Sequence, residues 1–224
     1  LSYMFSGSSV SNIKSLENWD VSKVTNFENM FSECIQLSNI NPLKDWNVSS
    51  GTNFKYMFKS DSKINNIKPL ENWDISKATD LEGIFSGFSD LTDLTPIQNW
   101  NVSKCQNFSR LFQGCENLFD LIPIQNWDVS KCKNFKSLFI NCKKISDITP
   151  LKNWNLSNGS NFSKMFYGCS LLSDVKPIEN WNVSKGDNFE KMFSGCKSLT
   201  NGNILKNWKL ANNNYFDSMF MEKK

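Results

Sequence analysis

Trp19-Asp20-Val21-Ser22 recurs as Trp46-Asn47-Val48-Ser49, Trp73-Asp74-Ile75-Ser76, Trp100-Asn101-Val102-Ser103, Trp127-Asp128-Val129-Ser130, Trp154-Asn155-Leu156-Ser157 and Trp181-Asn182-Val183-Ser184, and ends in the degenerate Trp208-Lys209-Leu210-Ala211. Every interval is 27 residues, and the series holds all 8 tryptophans of the chain. One supersecondary unit is therefore repeated without insertion, which is the pattern of a solenoid rather than of two globular domains. Positions within a unit are counted here from its tryptophan as 0, so that position 26 precedes the next tryptophan.

Positions 0 to 3 alternate apolar and polar, the period of a strand with one face buried. Stacked copies would then pair in parallel and in register. Positions 8, 11, 12 and 15 are apolar, as in Phe135, Leu138, Phe139 and Cys142. That spacing predicts one stripe of a short helix. Asn or Asp at position 7 (Asn26, Asn53, Asp80, Asn107, Asn134, Asn161, Asn188) suits its N-cap. A return follows with aliphatic residues at 18, 21 and 24. Proline stands at position 23 in Pro42, Pro69, Pro96, Pro123, Pro150 and Pro177. Proline donates no hydrogen bond, so an extended corner outside the ladder is expected. Asn or Asp at position 26 (Asn18, Asp45, Asn72, Asn99, Asn126, Asn153, Asn180, Asn207) reads as a column bonding the backbone of adjacent turns. The expected fold is thus α/β: a right-handed, leucine-rich-repeat-like solenoid of eight 27-residue turns, with a parallel β-ladder on one side and short helices on another.

The whole chain, 1–224, reads as a single repeat domain. Residues 1–18 are a partial unit that starts mid-repeat and reads as truncated; 19–207 are seven full units; 208–224 are a degenerate cap. The core follows from the columns: tryptophan at 0, phenylalanine at 12 from Phe5 to Phe220, and phenylalanine at 8 except at Leu1 and Leu81. Aromatic stripes of this kind are core rather than a cofactor site.

Composition excludes several chemistries. There is no histidine, which removes Ser-His-Asp and Cys-His catalysis and histidine-bound metals. Arg110 is the lone arginine and the formal charge is +3, giving no clustered cationic face for nucleic acid. No apolar run approaches the ~18 residues of a membrane span. The 7 cysteines fall at position 15 (Cys34, Cys115, Cys142, Cys169, Cys196) and position 5 (Cys105, Cys132), without zinc spacing. They read as small hydrophobes, and columns of unbridged thiols argue for a reducing compartment or for simple burial. No catalytic, cofactor-binding or metal site is expected.

Two surface columns are candidate sites. Position 1 alternates Asp and Asn, and position 4 is often lysine; Asp20, Lys23, Asp74, Lys77, Asn101, Lys104, Asp128, Lys131 and Lys185 form the most regular polar surface. It reads first as a solubility device and second as the face a protein partner would use. Asp93, Asp120, Asp147 and Asp174 at position 20 make an acidic strip, read either as a site for a cation or basic partner or as turn residues bonding their own backbone.

Phe112-Gln113-Gly114-Cys115-Glu116-Asn117-Leu118-Phe119-Asp120-Leu121, the Trp-Asn-Val-Ser frame and Asn-Phe-x-x-Leu-Phe together resemble the BspA-like leucine-rich repeats. The closest pattern is the surface-protein subtype Trp-Asp-Val-Ser-x-Val-Thr-x-Met-x-x-Met-Phe-x-x-Cys. Residues 19–34 follow it with Phe27 where that subtype has Met. The chain departs from it in its longer 27-residue period and its proline return. The resemblance implies a surface-displayed binding or adhesion module with no catalytic residues to carry over. The alternative is a structural spacer within a longer repeat protein.

Overall fold

The computed structural model describes residues 1–60, 63–210 and 214–220; the side chains of 214 and 215 are not part of that description. Successive units lie directly on one another. Parallel bridges join Asn26 to Asn53, Asn53 to Asp80, and so on at every unit to Asn188. One continuous hydrophobic cluster runs from Ile13 to Met219.

The bonds between units do not lie where the sequence pattern placed them. Among the described residues there is no strand, and the parallel β-ladder expected at positions 0 to 3 does not form. The α/β leucine-rich-repeat solenoid is therefore corrected. The alternation at 0 to 3 does sort the side chains: Trp100 and Val102 are buried, Asn101 is exposed. Its bonded N–H groups, however, and that of position 5, close local turns. Trp100 N–H donates to Ile97 O (3.1 Å), Ser103 N–H to Asn101 Oδ1 (3.2 Å) and Cys105 N–H to Val102 O (2.9 Å). The N–H groups that this segment does bond close such turns, and none donates to the same segment of a neighbouring unit.

The helix expected over positions 8 to 15 does not form among the described residues of the units from Trp19 to Trp181; only the last unit has one, over Asn214–Phe220. In the others this stretch is a run of tight turns, and it carries the inter-unit bonds. Phe108, Arg110, Phe112 and Gly114 donate N–H to Asn134, Lys136, Leu138 and Ile140 O of the next unit, at 2.8–3.0 Å. Between them, Leu111, Gln113 and Cys115 donate to the carbonyl three residues earlier, and Ser109 donates to Asn107 Oδ1. Every N–H from 108 to 115 is thereby bonded, half of them in a way no helix permits. Left-handed residues at positions 10 and 14 bend the chain: Arg110 (φ 57°) and Gly114 (φ 73°), and likewise Lys164 (φ 58°) and Gly168 (φ 73°). A positive φ every fourth residue cannot occur in a right-handed helix. It is what the third residue of a type II turn needs.

The physical reason for the misreading is geometric. Two consecutive four-residue turns place their corners at 8, 11, 12 and 15, the same spacing as one helical stripe. Phe108, Leu111, Phe112 and Cys115 are all fully buried in this way.

The return is not extended. It forms a short 3-10 turn in each unit: Lys14–Leu16, Asn41–Leu43, Lys68–Leu70, Thr95–Ile97, Ile122–Ile124, Thr149–Leu151 and Lys176–Ile178. Proline is its second residue in six of these, where a missing N–H is no loss because the first turn has no partner for it. A longer 3-10 segment, Gly202–Asn207, precedes the α-helix α1 (Asn214–Phe220). The carbonyls of Ser218 and Met219 in α1 accept from Lys191 and Phe193 N–H (2.7 and 2.9 Å), continuing the inter-unit bonds to the end. Of the cap expected at 208–224, residues 211–213 and 221–224 lie outside the described residues.

Aromatic columns fill the core. Position-12 rings stack almost parallel: Phe112 on Phe139 at 5.7 Å and 7°, Phe139 on Phe166 at 5.6 Å and 15°. Each buried indole donates Nε1–H to the carbonyl 30 residues back, from Trp46 to Leu16 (2.9 Å) through Trp208 to Ile178 (3.1 Å). The one polar side-chain atom of each buried tryptophan is thus satisfied inside the core.

Candidate functional site

Three columns of Asn and Asp are structural. At positions 1, 7 and 20 the side-chain oxygen accepts the N–H two residues on, closing an Asx turn. Asp20, Asp74, Asn101 and Asp128 do so to Ser22, Ser76, Ser103 and Ser130 at 2.9–3.2 Å. Hydrogen bonds from the paired serine hold the carboxyls of Asp20, Asp74 and Asp128 below the usual aspartate range. The strip Asp93, Asp120, Asp147 and Asp174 bonds the first N–H of each 3-10 turn at 2.7–2.8 Å. Asp174 also accepts from Asn201 Nδ2 (2.5 Å), and these bonds, backbone first, lower its pKa. Position 7 has the bond of an N-cap, but it starts a turn rather than a helix: Asn107 Oδ1 accepts from Ser109, Asn134 Oδ1 from Lys136.

The position-4 lysines, Lys23, Lys77, Lys104, Lys131 and Lys185, are all exposed beside the position-1 residues. Lys185 Nζ reaches Asn158 Oδ1 of the preceding unit at 2.7 Å.

Position 26 behaves differently from the other Asn columns. Asn18, Asp45, Asn72, Asn99, Asn126, Asn153, Asn180 and Asn207 are all exposed. No side-chain hydrogen bond within the described residues engages the seven asparagines, and Asp45 has only a 3.7 Å ion pair to Lys44. The expectation that this column ties adjacent turns is therefore corrected; positions 1, 7 and 20 take up the backbone donors instead. Surface depressions open between successive members of the column. One holds Asp45 and Asn72 with Trp46 and Asn47, another Asn126 and Asn153 with Gln125 and Lys152, a third Asn180 and Asn207 with Trp181 and Trp208.

A second polar cluster was not visible in the sequence. Glu82, only 8% exposed, accepts from Tyr56 Oη (2.6 Å), from Arg110 (2.7 Å) and from Asn107 Nδ2 (3.3 Å), with Lys55 Nζ at 3.3 Å. These residues come from three consecutive units. Burial pushes the Glu82 carboxyl up, but the Tyr56 hydroxyl and the Lys55 and Arg110 charges outweigh it and hold the pKa below the usual value. Burial, then the Glu82 carboxylate, pushes the Tyr56 phenol up to about 12. Neighbouring Asp80 is raised, mainly by burial. The Tyr56 ring lies on the bare backbone of Gly83 (φ 58°), where an added Cβ would stand 2.2 Å from it. Every Glu82 oxygen is occupied, so the cluster fastens three units in register and leaves no carboxylate open to a substrate. Only the isolated arginine and the tyrosine at position 10 hinted at it.

The thiols are buried in both columns. Cys115, Cys142, Cys169 and Cys196 donate Sγ–H to the carbonyl of the phenylalanine 30 residues back, at 3.1–3.4 Å. Burial raises all four thiols, Cys196 to about 12. Such thiols stay protonated and unreactive at neutral pH. The substitute at position 15 in the second unit, Asp61, lies outside the described residues.

The family model described as "Mycoplasma protein of unknown function, DUF285" matches residues 1–119, 79–176 and 108–224, so its matches overlap along the whole chain. No curated protein matches it. The chain belongs to the DUF285 family, and the overlapping matches mark it as a repeat protein.

Proposed function

We propose that the chain is a non-catalytic binding module whose contact surface is the face bearing positions 26, 1 and 4. The observation that carries this reading is the column of exposed asparagines at position 26. Every other Asn or Asp column has a bond to make in the fold, whereas this one repeats unit after unit with its amides turned to solvent. Its regularity gives a partner many identical contacts, and repeat surfaces of this kind favour binding. The flanking Lys77, Lys104, Lys131 and the alternating Asp74 and Asp128 add both signs of charge. Missing histidine and unreactive thiols support a role without catalysis. The resemblance to BspA-like surface proteins supports display and adhesion. A spacer role is the second reading, favoured by the uniform stacking of the aromatic columns.

The test is affinity capture on the intact immobilised chain. Lys77→Glu, Lys104→Glu and Lys131→Glu break no bond of the fold; Asp74→Asn and Asp128→Asn keep the turn, as Asn47 and Asn101 do in alternate units. The combined variant is expected to melt with the wild type and to lose the partner. Undiminished capture would place the contact surface elsewhere, and absence of any captured partner would favour the spacer.

A further inference from the structure

We propose that the return face, positions 19 to 25, docks a second copy of this chain, the two stacks side by side and pointing the same way. This goes beyond the binding-module reading and stands independently of it. One unit breaks an otherwise polar surface. Phe119 at position 19 and Ile122 at position 22 are 56% and 57% exposed. Every other unit has Ser, Thr or Asn at position 19 and Lys, Thr or Asn at position 22. Single exposed apolar residues are ordinary; two on one return, among polar equivalents, mark a contact point. Ile122 also lines a depression with Gln125, Thr149, Pro150 and Lys152, so positions 22, 23 and 25 share one face.

Charge selects the occupant. The 3-10 turn sets positions 22 and 25 three residues apart on one edge, and successive turns lie against one another from Lys14–Leu16 to Lys176–Ile178. The two columns complement each other. Lys14, Lys68 and Lys176 at position 22 accompany Glu17, Glu71 and Glu179 at position 25. Where position 25 is instead lysine, at Lys44, Lys152 and Lys206, position 22 is the neutral Asn41, Thr149 or Asn203. Ion pairing within the turn accounts for Lys14–Glu17 and Lys68–Glu71, but among the described residues no ion pair joins Lys176 to Glu179. A twofold axis along the stack keeps the units level and reverses the column order, so position 22 of one copy meets position 25 of the other. Lys68 then meets the second copy's Glu71, Lys176 meets its Glu179, and no like charges face each other between the two columns. A foreign partner needs no such match between two columns of this chain. The antiparallel arrangement turned about Ile122 is disfavoured by the same residues: Lys68 would face Lys176, Glu71 would face Glu179, and Asp93 would face Asp147.

The test is sedimentation equilibrium of the whole chain over a concentration series. A mass rising from 25.8 kDa toward twice that value is expected. Phe119→Ser with Ile122→Thr, the residues that the next unit carries as Ser146 and Thr149, is expected to weaken the dimer by roughly tenfold or more at an unchanged melting temperature. Lys68→Glu with Glu179→Lys keeps the net charge and separates the orientations. It sets Glu against Glu and Lys against Lys in the parallel pair, and opposite charges in the antiparallel one, so a monomer is expected. Lys68→Glu with Lys176→Glu, and Glu71→Lys with Glu179→Lys, are each expected to be monomeric alone and to dimerise when mixed. Exposed ion pairs contribute little to folding, so these variants keep the stack. A wild type that stays monomeric throughout overturns the proposal. So do charge variants that dimerise alone, a mixture that fails to recover, and a dimer indifferent to the change at Phe119 and Ile122.

Discussion

Glu82 shows how much one side chain can hold. Its carboxylate gathers Tyr56, Lys55, Asn107 and Arg110 from neighbouring units, and it is nearly dry. Because its folded pKa lies below the ordinary 4.5, the stability it contributes is present above that pH and is lost as pH falls through the lowered value. Asp80 has the opposite sign: its raised pKa contributes stability below the ordinary 3.8 that disappears as pH rises through the folded value. Glu82→Gln is therefore expected to cost about 1.5–3 kcal/mol at neutral pH, the range for hydrogen bonds to a charged group. The gap between variant and wild type should close on acidification, as read by chemical denaturation at stepped pH. A gap that stays constant down to acid conditions would mean the carboxylate charge has no part in the cluster.

At the scale of the element, the decisive feature is the pair of turns at positions 8 to 15. Lys164 sits at position 10 with φ 58°, a conformation that costs a non-glycine residue about 1–2 kcal/mol. Lys164→Gly is expected to stabilise the protein by on the order of 1 kcal/mol, less the added freedom of the unfolded chain. In the helix that the apolar spacing predicts, the same change would destabilise by ~0.8–1.0 kcal/mol. A thermal melt decides by sign alone. The difference also explains what was legible in the sequence. Which side chains are buried could be read correctly at Trp100, Val102, Phe108, Leu111, Phe112 and Cys115, because burial follows apolar spacing. The backbone between them could not, because one helical stripe and two successive turns share that spacing. Glycine at position 14, in Gly87, Gly114, Gly168 and Gly195, was the available sign of left-handed backbone. Aspartate at position 20 was read with both its structural and its binding meaning, and the structure gives each a backbone bond. The Glu82 cluster stayed hidden because position 9 changes from unit to unit, so periodicity carries no information there.

For the whole molecule, the consequence of stacking is that each unit is held only by its neighbours. Phe139 lies stacked between Phe112 and Phe166. Phe139→Ala is expected to cost about 3–5 kcal/mol. In a one-dimensional array the loss should also split the melt, with the units on either side unfolding separately. A single transition merely shifted to lower temperature would show that cooperativity spans the whole stack. The stacked-turn fold is defined by the carbonyl to which each position-12 amide donates. Scalar couplings across hydrogen bonds, measured by NMR on the deuterated chain, report that carbonyl directly. The structure predicts couplings from Phe112 N to the Leu138 carbonyl and from Phe139 N to the Met165 carbonyl. Couplings from Phe112 to Phe108, and from Phe139 to Phe135, would instead make this stretch a helix and contradict the stacked-turn fold.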